Sequence, residues 1–311
     1  MRSGNAEWIL WNEPPPVEYR GGAVAIGNFD GVHRGHAELV RVLRESGRPA
    51  IAVSFDPHPL QLLAPERFLP ELTTPSDRAV FLRECGADGV CFLKTTPELL
   101  KLAPTEFFQR IVREGFSARA VVEGFNFRFG RNRTGDIDLL RRLCHEAGLT
   151  FRLVPPVELE GRPVSSSRVR ETLVAGQVEE ARRLLGRPYH VRGKVGTGAR
   201  RGRQLGFPTA NLEAIPTLIP GDGVYAVLAT WNGRSAVGAA HIGPAPTFRE
   251  QERRVEVHLL DFVGDLYGEE LTIRFLRQIR PTRRFADAAE LAEQLRCDVE
   301  EVRRVAREEP S

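Results

Sequence analysis

The feature that most restricts how this 311-residue chain can fold is a change of pattern near Leu185-Gly186-Arg187-Pro188. Before it, short apolar runs at 23–27, 50–55, 88–93, 119–123 and 151–155 alternate with stretches of helical spacing at 35–46, 75–86, 104–115, 137–147 and 168–185. Strand–helix alternation of this kind implies an α/β layer on a mainly parallel sheet. After it, strand-like runs at 189–196, 223–231, 235–242, 253–262 and 270–276 are separated by Gly and Pro, the pattern of a small antiparallel barrel or sandwich. One amphipathic helix closes the chain, with Ala288, Leu291, Ala292, Leu295, Val299 and Val302 on a single stripe. Two domains are expected, 1–185 and 186–311, each long enough to bury its own core.

Bulk properties narrow the function classes. A net charge of only +3 does not imply general polyanion binding, so nucleic acid is not an expected partner. No run approaches membrane-spanning length, and the start MRSGNAEWIL carries an acid without the apolar core of a signal peptide. Cys85, Cys91, Cys144 and Cys297 show neither CxxC nor paired spacing, which points to free thiols in a reducing cytoplasm rather than zinc or disulfides. Oligomeric state is not legible.

The seam between the first strand and first helix reads GNFDGVHRGH, Gly27 to His36. Glycines let backbone approach a bound group, and a helix start offers N–H donors to an anion. His33 and His36 sit three apart there, close enough to address one phosphate chain; the alternative is a tight turn with solvated histidines. A metal pair lacks a third ligand at an evident spacing. The second strand ends in SFDPHP, where His58 reads more readily as a loop residue than a catalyst. The fourth ends in EGFNFRFGRNRTGD, with Phe125, Phe127 and Phe129 alternating around Asn126 and Arg128. Aromatics beside an amide suit a flat heterocycle, although alternating Phe can equally be core of a β extension. VSSSRVR, Val164 to Arg170, then offers either an N-cap serine or a phosphate clamp built on Arg168 and Arg170.

In the second half, GKVGTGARRGRQLGFPTANL, Gly193 to Leu212, is Gly-rich and basic before turning into Phe-Pro-Thr-Ala-Asn. Backbone around Gly193 and Gly198 can cradle phosphates, and Thr209 with Asn211 offers neutral oxygens to a Mg²⁺ that keeps its waters. No GKS or GKT closes a Walker loop. The Arg192, Lys194, Arg200, Arg201, Arg203 cluster is also compatible with a solvated face or with nucleic acid. In RRVEVHLLDF, Val255, Val257 and Leu259 share one strand face and Glu256 and His258 the other.

The order HxGH, then a Phe/Asn/Arg segment, then SSSxxR resembles the nucleotidylyltransferase superfamily. More narrowly, GNFDGVHRGH, FNFRFG and VSSSRVR resemble the adenylyltransferase module of the bacterial bifunctional riboflavin kinase/FAD synthetase family. GRQLGFPTANL, PGDGVYAV, IGPAPTF and RRVEVHLLDF follow one another as in its riboflavin kinase module. The resemblance spans nearly the whole chain. It implies a Rossmann-like nucleotidylyltransferase sheet followed by a small antiparallel β-barrel with a terminal helix, acting on riboflavin, FMN and ATP with Mg²⁺. It implies ATP contacts at Gly27, Asn28, Phe29, Gly35, Ser166, Gly193, Gly198, Thr209 and Asn211, with Thr209 and Asn211 also on the metal. Catalytic roles fall to His33, His36, Arg170 and Glu256, the last as base toward the ribityl hydroxyl, and flavin contacts to Asn126, Phe127 and Phe129. Three positions depart from the commoner pattern: Asn126 stands for Asp, Ser167 for Thr, and His241 for an Asn, with no role carried over to His241. A monofunctional enzyme with one silent module, or a flavin-responsive or RNA-binding regulator, is the alternative.

Overall fold

The computed structural model describes residues 6–196, 207–244 and 253–309, which divide into two compact units. The first holds Met1–Leu69 with Thr73–Ser166, the second Pro70–Leu72 with Ser167–Ser311.

In the first unit, β1 (Glu7–Ile9), β2 (Ala23–Ile26), β3 (Ala50–Asp56), β4 (Gly89–Lys94), β5 (Ala120–Gly124) and β6 (Thr150–Val154) form a six-stranded sheet ordered β1-β4-β3-β2-β5-β6. Every pairing in it is parallel. Such strands are covered on both faces, and β2 shows how alternate residues divide between them. Val24 and Ile26 join the apolar cluster of Phe107, Phe108, Ile111 and Phe116, while Ala23 and Ala25 pack with Leu39, Val40 and Leu43. Those last three lie on α1 (Arg34–Ser46). The other helices are α2 (Pro59–Leu63), α3 (Pro75–Glu84), α4 (Pro97–Lys101), α5 (Pro104–Phe107) and α6 (Ile137–Glu146). The helix expected over 104–115 is continuous but widens to i→i+5 bonding over Phe108–Gly115. The short strands β7 (Glu158–Leu159) and β8 (Arg162–Pro163) form a hairpin that periodicity did not suggest.

The single helix expected over 168–185 is two, α7 (Ser166–Val174) and α8 (Val178–Leu185). Gly176 parts them at φ 77°, where a Cβ would lie 2.6 Å from Gln278 Nε2 and 2.9 Å from Tyr225 Oη. Both helices are bound into the second unit: Gly221 N–H donates to Leu173 O at 2.7 Å, and Arg277 and Arg182 pair with Glu179 and Glu309. The compact units therefore divide at Ser166/Ser167, whereas the pattern change in sequence lies at 185/186.

The barrel strands are β9 (His190–Gly196), β10 (Ala210–Glu213), β11 (Gly223–Trp231), β12 (Arg234–Pro244), β13 (Arg253–Leu259) and β14 (Glu270–Arg280). They close in the order β10-β13-β12-β11-β14-β9, with β10 also pairing β9. β10 lies in the Pro-Thr-Ala-Asn segment and was not expected as a strand; it completes the closure. On β13, Val255, Val257 and Leu259 are buried, while Glu256 and His258 alternate on the other face. The terminal helix α9 (Ala288–Glu308) lays Val302 and Val305 against Ala226, Leu260 and Leu276. Its face also carries Asp298, only 2% exposed and held by Arg280 at 2.8 Å. A stripe of apolar letters could not disclose that ion pair.

Candidate active sites

In the first unit β2 is flanked by β3 and β5, so the strand order reverses direction between β2 and β5. Ligands of open α/β sheets bind beyond the carboxyl ends of strands at such a switch point. The segment after β2 is Gly27–His33, and the segment after β5 begins at Phe125. Buried Glu123 ties the two strands together there: its Oε1 accepts the Ile26 N–H at 2.7 Å. Burial pushes the Glu123 carboxyl well above the usual range, so it favours the protonated form.

His33 occupies the N-cap of α1 without a side-chain cap bond. Its ring stacks on that of His36 with centroids 3.7 Å apart and 16° between planes, and Phe29 meets His36 edge-on at 5.3 Å. Gly35 lies close against this stack: a Cβ there would be 3.1 Å from both Cε1 and Nδ1 of His33. Ser166 belongs to the same unit, and its hydroxyl donates to Asp30 O at 2.8 Å. Imidazole pairs at a helix start, where backbone dipoles point outward, suit charge developing on a phosphoryl group. Arg170 lies in the second unit, its Nε donating to Pro70 O at 3.4 Å, and Arg168 pairs with Glu180 at 2.9 Å. His58 caps α2, accepting the Leu60 N–H on Nδ1 at 3.1 Å.

The expected run of alternating phenylalanines is a turn rather than an extended strand, closed by Phe127 N–H donating to Gly124 O. Phe125 and Asn126 are exposed and Phe127 is half-buried. Phe129 is 5% exposed, belongs to the core, and stacks on Phe127 at 5.5 Å. Its ring packs in the core and backs that of Phe127.

In the second unit, strand register assembles what sequence separates. Asn211 on β10 lies directly opposite Glu256 on β13, and Glu256 lies opposite His241 on β12. Opposed residues share a face of the sheet. Thr209 precedes Asn211 by two, the spacing at which extended chain returns to one face. His258 Nδ1 sits 2.9 Å from Pro208 O, pinning the start of this segment to β13. His241, given no role from sequence, is placed on the same face as Glu256 by strand register alone. Its ring lies over Gly243, where a Cβ would be 3.2 Å from Nε2, and burial holds its pKa below the usual value despite the Glu256 carboxylate nearby. Gly193 has a packing reason: a Cβ would meet Glu213 O at 2.8 Å. Gly198 lies outside the described residues.

Among the described residues no cluster of three His, Cys, Asp or Glu side chains could hold a metal ion. The Asn211 amide opposite the Glu256 carboxylate fits a Mg²⁺ that arrives on ATP rather than one held by protein alone. The thiols of Cys91 and Cys144 are pushed up to about 12 by burial, which leaves them unsuited to thiolate chemistry at neutral pH.

Comparison with known families bears on both sites. The family described as riboflavin kinase matches residues 185–306, and that described as FAD synthetase matches residues 16–168. The bifunctional riboflavin kinase/FMN adenylyltransferase of Pseudomonas fluorescens is 39% identical over 93% of this chain and 94% of its own. The proteins of the same name from Escherichia coli K12 and Bacillus subtilis are 35% and 34% identical, each over 89% of this chain and 90% of its own. A crystal structure described as a macrolide-efflux protein from Streptococcus pneumoniae superposes with a TM-score of 0.86 at 32% identity, over 96% of this chain and 98% of that one. Among the described residues here, no helix is long and apolar enough to cross a membrane. With one family on the sheet, the other on the barrel, and relatives alike along nearly their full length, the chain belongs to the bifunctional riboflavin kinase/FMN adenylyltransferase family.

Proposed function

We propose that the barrel unit phosphorylates riboflavin to FMN and that the sheet unit adenylylates FMN to FAD, each with its own ATP. The observation that carries this is the presence of both constellations in one chain: stacked His33 and His36 at the switch point, and Asn211 opposite Glu256 across β10 and β13.

In the barrel, Glu256 accepts the proton of the terminal ribityl hydroxyl as that oxygen attacks the γ-phosphorus, and ADP leaves. Thr209 and Asn211 would hold a Mg²⁺ brought in with ATP, which would supply positive charge to the phosphates. Phosphoryl transfer asks chiefly for positioning and charge neutralisation; these side chains would supply the positioning and the proton acceptor, and the cation that comes with ATP would neutralise the phosphate charge. In the sheet unit, the FMN phosphate is already an anion and attacks the α-phosphorus of ATP without a base, releasing pyrophosphate. Gly27, Asn28 and Phe29 lead the backbone to the nucleotide, and His33, His36 and the start of α1 stabilise charge on the transferring group. Ser166 anchors this loop through the Asp30 carbonyl and adds a hydroxyl beside it. Asn126 and Phe127 hold the flavin, with Phe129 behind Phe127. A reducing, cytoplasmic setting fits four cysteines that show neither CxxC nor paired spacing.

Chromatography of products from the purified chain tests the scheme. Riboflavin with Mg·ATP is expected to yield FMN and then FAD. FMN without FAD would sink the sheet-unit assignment, and FAD from FMN without kinase activity would sink the barrel assignment. Binding that ignores flavin and ATP and falls steeply with salt would mark a nucleic-acid regulator instead.

A further inference from the structure

We propose that Ser54, Thr73 and Arg78, none of them in the histidine motif, form with Asp30 a buried latch that sets the loop carrying His33 and His36. The inference rests on the reading of that loop as the adenylyl-transfer site.

The loop needs a latch. Within four positions, Phe29, Gly31 and Val32 all take positive φ, at 49°, 81° and 41°. Gly31 does so freely, but a bulky aromatic and above all a β-branched residue do not. Strained residues persist where surrounding structure over-determines them, and such sites are where positioning matters.

The surrounding structure does over-determine these. Ser54 Oγ, on β3, donates to Asn28 O at 3.1 Å and accepts from Arg78 Nη1 at 3.3 Å. Thr73 Oγ1, just before α3, accepts the Gly31 N–H at 3.1 Å and donates to Asp30 Oδ1 at 3.1 Å. The Thr73 N–H donates to that same oxygen, again at 3.1 Å. Arg78 Nη2 donates to Thr73 O at 3.3 Å and lies 3.7 Å from Asp30 Oδ1. Arg78 and Ser54 are fully buried, and Asp30 and Thr73 are 3% exposed. Through Ser54 and Thr73, the guanidinium is thus linked to three consecutive parts of the loop: the Asn28 carbonyl, the Asp30 carboxylate and the Gly31 amide. A charge pair that merely held α3 to the sheet would bridge α3 and a strand. This one ends on the residues that lead into His33.

The consequence is a specific kinetic signature. With the latch cut, Phe29 and Val32 relax toward ordinary φ and the imidazoles leave the transition-state geometry, while the flavin contacts after β5 stay in place. The kcat for FAD formation falls and KM for FMN does not. Small displacements at a reacting centre reduce rate by about 10²-fold.

Thr73→Val keeps the shape, removes the hydroxyl between Asp30 and Gly31, and leaves the Arg78–Asp30 pair, so it tests the latch without exposing a buried charge. It is expected to lower kcat for FMN adenylylation by roughly 10–100-fold, with KM for FMN and riboflavin phosphorylation by the same chain unchanged. Thr73→Ser, which restores the hydroxyl, is expected to recover most of the rate; Ser54→Ala is expected to act like Thr73→Val. Wild-type kcat in both Thr73→Val and Ser54→Ala overturns the latch, as does equal loss of both activities, or failure of Thr73→Ser to recover. His36→Ala in the same assay separates the two levels, with an expected loss of about 10²–10³-fold. If His36→Ala leaves FAD formation intact, the reading of the loop fails and the latch with it. If His36→Ala is impaired while the latch variants are not, the latch alone fails.

Discussion

Asn211 and Glu256, 45 residues apart in sequence, face each other across β10 and β13, and the barrel's closure is what brings them together. An amide oxygen beside a carboxylate gives one neutral donor for a phosphate-bound cation and one proton acceptor, on a face opposite the apolar Val255, Val257 and Leu259. Glu256→Gln keeps size and loses proton affinity. Riboflavin phosphorylation is expected to fall by roughly 10²–10⁴-fold, while FAD formation from supplied FMN stays near normal. A kinase rate equal to wild type would remove Glu256 as the base, and a lowered melting temperature with both activities reduced would mark it as structural.

Gly35→Ala is expected to separate stability from activity. Alanine favours helix over glycine by up to about 1 kcal/mol, so the melting temperature should hold or rise. The new Cβ, 3.1 Å from the His33 ring, presses on that ring and shifts it by a few tenths of an ångström against His36. FAD formation is expected to drop at least about tenfold, the loss that a barrier rise of about 1.4 kcal/mol brings. An unchanged FAD rate would show that the stack is incidental.

Glu123 gives a pH dependence whose sign follows from its burial. Its carboxyl titrates well above the usual range in the folded chain, so the native state holds a proton that the unfolded chain gives up. Stability is therefore lost as pH rises from the ordinary glutamate value through the native one, at up to about 1.4 kcal/mol per pH unit. Glu123→Gln keeps an oxygen for the Ile26 N–H and cannot ionise. Denaturant titrations across pH 4 to 8, a span of about the ordinary glutamate pKa and above, are expected to show the variant gaining on wild type as pH rises. A constant difference would contradict the assignment.

The position of α7 and α8 predicts which barrel fragment folds. Leu173, Val178, Ala181 and Leu184 are fully buried, and large aliphatic side chains contribute about 1.5–3 kcal/mol each on burial. A fragment from Ser167 is expected to fold and make FMN, and one from Gly186 to melt far lower or fail to fold. Equal melting temperatures would show that these helices add nothing to the barrel.

Local pattern alone determined a great deal here. The apolar runs that became β2 to β6, the alternation on β13, the stripe of α9 and the HxGH and PTAN strings all lie within one element or turn, where side-chain period and backbone chemistry act between near neighbours. So the two architectures, and most of the residues proposed for the chemistry, were legible before any fold was known. What tertiary structure alone decided is pairing and burial over long separations. Register set Asn211 and His241 on either side of Glu256; the depth of the core buried Phe129 against Phe127. Packing drew α7 and α8 to the barrel across a boundary that periodicity placed after them. Arg78, an unremarked arginine in an ordinary helix, became the buried centre of a loop's hydrogen bonds only because Ser54, Thr73 and Asp30 converge on it. Polar burial has no period to read: whether a charged side chain meets water or a partner depends on which distant segments close over it.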